Sequence, residues 1–105
     1  MAWIALLIAG LLEVVWAYCM KMSEGFTKPL MSVLTLIFMI LSFALLSYAM
    51  KSLPLGTAYT VWTGIGAIGS FIVGILFLAE PANAMRMLAA VLIVSGLVLM
   101  KLSSN

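Results

Sequence analysis

Histidine is absent from this chain, cysteine occurs once, and charge is scarce, with five basic and three acidic residues in 105. Each shortage removes a class of function. Without histidine, and with Cys19 alone, a dedicated metal centre lacks its ligands. One cysteine allows no internal disulfide and implies no redox site. There is no Ser/His/Asp set, no glycine-rich phosphate loop and no basic patch for nucleic acid. Enzymatic chemistry therefore has almost no raw material, and neither a metal nor an organic cofactor is expected.

What the chain has in abundance is apolar length. Charged residues make up 8% and hydrophobic ones 67%, with a mean hydropathy of +1.34, whereas soluble domains carry about 25% charged residues. A helix needs ~20 apolar residues to cross the hydrocarbon of a bilayer, and four such stretches fit, at about 2–21, 29–50, 54–79 and 84–102. The connections "KMSEGFTK", "KSLP" and "AEPAN" hold five of the eight charges and two of the three prolines, and the third, Pro29, begins the second stretch. The fold expected is one all-α integral membrane domain over 1–105 with four transmembrane helices. The first stretch does not read as a cleavable signal peptide: it lacks a basic leader, is too long, and carries an acid at its centre.

The helices differ in character. In the second, Thr35, Met39, Ser42 and Leu46 follow 4-3-4 spacing, so Ser42 lies on a definite stripe. The third is crowded with small residues (Gly64, Gly66, Gly69, Ser70 and Gly74) that let another backbone approach or let the helix bend. The fourth places Ala89 and Gly96 a heptad apart, a small-residue seam suited to packing on a partner. That seam serves either the protomer or a dimer.

Positive charge normally fixes orientation. Here Lys51, Lys101 and the amino terminus fall at one end of the helices, and Lys21, Lys28 and Arg86 at the other. Three against three casts no clear vote. The chain can then insert both ways round, which allows an antiparallel homodimer.

The one acid inside a hydrocarbon span is Glu13, in "IAGLLEVVWAY". Insertion scales put comparable charges at about +2.5–3.5 kcal/mol at a helix centre. Lys21, Arg86 and Lys101 stand at the ends of their spans and no Lys or Arg lies in the hydrocarbon interior to pair with it, so its natural partners are a proton or a cation from outside. The bland alternative is a protonated Glu bridging two helices. Ala9, Gly10 and Ala17 lie three or four residues away and leave space on its face. Trp16 lies one turn along, and on the third helix Tyr59, Trp62 and Gly66 follow i, i+3, i+7 spacing. Aromatic faces attract cations by roughly 2 kcal/mol once desolvated. The alternative is that these rings are interfacial or packing residues, as Trp3 is expected to be. A dimer would bring two Glu13 carboxylates to one cavity, where a cation and protons compete.

The runs "AGLLEVVWA", "EGFTK", "SLPLGTAYTVWTGIGA" and "LIVSGLVLMKLS" closely resemble the small multidrug resistance transporters along essentially the whole chain. The Glu-Val-Val-Trp-Ala run resembles the guanidinium-exporter branch; the branch exporting polyaromatic cations has smaller residues where Trp16 stands. The resemblance implies an antiparallel, dual-topology homodimer in the bacterial inner membrane, exporting a cation against inward proton flow, with H+ as the coupling ion. Glu13 would bind substrate or proton, and Ser42 would hydrogen-bond and orient it. Trp16, Tyr59 and Trp62 would line the site, and Gly10 would keep the helix approach open. Thr60 stands where the family commonly has Ala, "AYCM" is bulkier than usual, and nine methionines give a pliable surface; these departures favour a broader substrate range.

The leading expectation is thus a proton-coupled exporter of guanidinium and small substituted guanidinium ions. A quaternary-ammonium exporter is the alternative within the family, and a passive cation channel or structural subunit the alternative outside it.

Overall fold

The computed structural model of the protein describes residues 1–103; the last two positions of the expected domain lie outside the described residues. Four helices follow one another: α1 (Ala2–Met22), α2 (Pro29–Ala49), α3 (Leu55–Phe77) and α4 (Ala84–Ser103). At 1.5 Å rise per residue each is about 30 Å long, and all four are long and apolar enough to cross a membrane. The spans match those read from hydropathy to within two residues.

Local chemistry sets the boundaries. Ser23, fully buried, ends α1: its amide reaches the Cys19 carbonyl at 2.9 Å and its hydroxyl donates to the Met20 carbonyl at 2.6 Å. The same hydroxyl accepts the Phe26 amide at 3.1 Å, within a turn where Glu24, Gly25 and Phe26 all have positive φ. Pro29 opens α2 at a position where its missing N–H costs nothing. Hydropathy carries the third span to 79, but α3 stops at Phe77 because Ala79 turns left-handed, with φ +55°. Asn83 caps α4, its Oδ1 accepting the Arg86 amide at 2.9 Å.

The helices form a slab 43 × 35 × 16 Å, in the order α2, α1, α3, α4. Its core is Ala5, Leu6 and Ala9 of α1 with Leu46 and Ala49 of α2 and Ala58, Val61 and Trp62 of α3. On α2 the buried residues are Thr35, Ser42, Leu46 and Ala49; three belong to the stripe read from helical spacing, whose fourth member, Met39, is half-buried, and Ala49 continues it one turn on. The small residues of α3 serve neighbours on two sides. A β-carbon on Gly66 or Gly69 would collide with Glu13 or Val14 of α1, and one on Gly64 with Leu97 of α4.

α4 is the outlier, for none of its residues is buried. Lys101, near its end, sits 4.6 Å over the Trp3 ring, so the end of α4 lies beside the start of α1. Arg86, at the opposite end, lies 5.2 Å over Phe71.

Candidate cation site

Glu13 is held on α1 by a ladder of contacts with α3. Gly10 faces Ile65, whose side chain fills the space a β-carbon at Gly10 would need. One turn on, the Glu13 carboxylate lies in the equivalent space at Gly66, and Val14 fills the gap at Gly69. Glycine is required at Gly66 because anything larger would evict the acid. Glu13 Oε1 is buried there with no hydrogen-bond partner. An unpaired carboxylate oxygen away from water is costly, so this position calls for a proton or a cation.

Ser42 is completely buried between α1 and α3. Its hydroxyl donates to the Ala9 carbonyl at 2.7 Å and accepts the Trp62 indole N–H at 2.9 Å. A serine hydroxyl has one proton to give, and here it goes to the backbone of α1, not to the Glu13 side chain. The link to Glu13 is still short. In an α-helix the carbonyl of residue 9 receives the amide of residue 13, so Ser42 grips the turn that presents the acid. Trp62, 6% exposed, is fixed in turn by Ser42.

Aromatic rings extend from this point. Trp62 lies 5.6 Å from Tyr59 and 5.7 Å from Phe43, and Phe43 lies 6.3 Å from Trp16 in an edge-on arrangement. Sequence reasoning missed Phe43. Among the apolar residues of α2 nothing marks it except its place beside Ser42. Tyr59 is half exposed, so the aromatic row opens at one end. The Trp16 indole nitrogen is buried without a partner, like Glu13 Oε1.

The structure thus gathers Glu13, Gly10, Trp16, Ser42, Tyr59 and Trp62 on three adjoining helices. Ala89 and Gly96 stand apart. Both are exposed on α4, and a β-carbon at Gly96 would meet nothing.

Four helices long and apolar enough to cross a membrane, with a buried, unpartnered acid between α1 and α3, define a multi-pass membrane protein. Residues 1–103 match the family described as Small Multidrug Resistance protein, and the chain belongs to that family. Along its full length it is 57% identical to the guanidinium exporter of Escherichia coli (strain K12), with all of both chains covered. Over the same full coverage it is 56% identical to the guanidinium exporters of Citrobacter freundii and Salmonella typhimurium.

Proposed function

We propose that this chain is a proton-coupled antiporter that exports guanidinium and small substituted guanidinium ions by alternating access at Glu13. The observation that carries the reading is the buried, unpartnered Glu13 carboxylate oxygen seated against Gly66. A single acid that must hold either a proton or a cation, and cannot hold both, couples the two flows: loading one requires release of the other. Guanidinium suits it, being planar, permanently charged and able to meet a carboxylate with two parallel N–H donors. The flanking rings of Trp16, Phe43, Trp62 and Tyr59 add apolar and cation-attracting faces. Full-length similarity to guanidinium exporters supports the substrate class.

The working unit in this reading is an antiparallel, dual-topology homodimer in the bacterial inner membrane. α4, with no residue buried and its Ala89–Gly96 seam uncovered, offers the surface on which two copies meet. The balance of three positive charges against three at the two ends supports insertion both ways round.

Transport into proteoliposomes under an imposed pH gradient tests the proposal. Guanidinium should move uphill against protons, and its half-saturating concentration should rise as pH falls, because protons compete for Glu13. Tetraalkylammonium ions carried equally well would favour the quaternary-ammonium alternative. Downhill cation flow indifferent to the pH gradient would indicate a channel.

A further inference from the structure

The contact ladder between α1 and α3 does not end at Glu13. Beyond Val14 and Gly69 the two helices part into an open cleft lined by Val14, Tyr18, Lys21, Ser70, Gly74 and Glu80, with Ala17, Val73 and Leu78 completing its apolar walls. Its volume is about 190 Å³, enough for an ion as small as guanidinium. The cleft begins one residue from Glu13 and reaches the end of the bundle where α3 stops. Gly74 lies eight residues beyond Gly66 on the same helix, about 12 Å further along its axis at 1.5 Å per residue.

At that end a second carboxylate is fixed in place. The Glu80 amide donates to the Gly74 carbonyl at 3.0 Å. Its carboxylate folds back into the space that a β-carbon at Gly74 would occupy. The fold-back follows from the left-handed residue Ala79, which reverses the chain immediately after α3. Glu80 is exposed, and among the described residues the one ion pair is Lys28–Glu24 at 3.2 Å, so no lysine claims the Glu80 oxygens. Ser70 and Tyr18 add polar atoms on the path between Glu80 and Glu13, and Lys21 supplies the one opposing charge on the wall.

We infer that the Glu80 carboxylate, pinned over Gly74 at the mouth of the α1–α3 cleft, is a recruitment site that captures guanidinium-type cations before they reach Glu13. The inference rests on the proposed transport of such cations. A carboxylate in contact with water binds an ion weakly, and Lys21 weakens it further. That suits an outer site, which must be favourable enough to fill and weak enough to empty. A fixed carboxylate at the mouth of a cleft raises the local cation concentration and on-rate, an effect that Lys21 partly offsets and that salt screens. Glu80 therefore acts on capture at low substrate and not on the maximal rate.

The direct test is a guanidinium chloride titration of the isotopically labelled Glu13→Gln protein in lipid nanodiscs, followed by amide resonances. With the inner site disabled, Ser70, Gly74 and Glu80 should still shift, saturating at millimolar guanidinium. Adding Glu80→Gln should abolish those shifts, and Lys21→Gln should tighten them. No shift at these amides, or shifts that persist after Glu80→Gln, would overturn the site. In transport by the otherwise native protein, Glu80→Gln should lower the rate at subsaturating guanidinium by about threefold to tenfold at low salt, with the effect vanishing at high salt. An unchanged rate at low salt would also overturn the recruitment role. Failure of the native protein to transport guanidinium at all would instead remove the function proposed for Glu13.

Discussion

The carboxylate of Glu13 on α1 occupies the space that a side chain at Gly66 on α3 would fill. Each residue therefore constrains the other. Gly66→Ala should expel the acid from its seat and sharply reduce guanidinium transport. Forcing a methyl group into a filled space costs typically 1–3 kcal/mol, an order of magnitude or so in affinity. Gly56, which has open space around it, provides the control. Gly56→Ala should leave guanidinium currents on solid-supported membranes unchanged while Gly66→Ala suppresses them. Equal currents from the two variants would count against the seat.

Glu13→Gln should abolish coupled transport while leaving insertion and assembly intact. The amide keeps the shape but can neither exchange a proton nor serve as a counter-charge. Uphill guanidinium uptake by the purified variant on a pH gradient would contradict the proposed mechanism.

Ser42→Ala removes the group that joins Ala9 to Trp62. The indole N–H loses its acceptor in an apolar setting, a cost of about 1–3 kcal/mol, and the turn carrying Glu13 loses its outside support. Guanidinium should bind roughly tenfold more weakly, and the pH profile of transport should move, because the acid itself is displaced. Intrinsic Trp62 fluorescence should change as well, in a background where Trp3 and Trp16 are replaced by Phe. A native pH profile would remove Ser42 from the site.

The proposed dimer makes two predictions of its own. A β-carbon at Gly96 meets nothing within one chain, so loss of the dimer in Gly96→Leu with the protomer still folded would place the α4 seam at the interface. Two lysines added to the "SLPLG" loop should bias every copy one way and reduce function. Activity should return on co-expression with a copy biased oppositely. Full activity from the singly biased protein would contradict antiparallel assembly.

Selectivity should depend on Trp16. A planar ion slides between aromatic faces where a tetrahedral ammonium does not fit, and an alkyl group on one nitrogen can project away from the two-point contact with Glu13. Singly alkylated guanidiniums should be transported, and tetramethylammonium poorly or not at all. Trp16→Gly should relax this preference. A native-protein current for tetramethylammonium equal to that for guanidinium would sink the guanidinium assignment and leave the exporter reading standing.

Membrane residence, the four spans, the crowding of α3 with small residues, the stripe through Ser42 and the singular status of Glu13 were all legible in the sequence. These follow from composition and from the 3.6-residue period, which act along one helix at a time. Relations between helices were not legible. Spacing puts Ser42 on a face, yet only the approach of α1 and α3 decides that its proton goes to Ala9 and that it holds Trp62. Phe43 gives no signal in a helix of similar apolar residues, and it joins the aromatic row only because Trp16 and Trp62 close on it from two other helices. Gly66 reads as a gap in one helix; the fold determines that the acid of another helix fills it. Glu80 reads as a loop charge until the left-handed turn at Ala79 folds it over Gly74. In a bilayer the sequence decides which segments leave water, because that depends on summed transfer energy. Which side chains meet depends on close packing between helices that lipid would solvate equally well apart, and that is settled only in three dimensions.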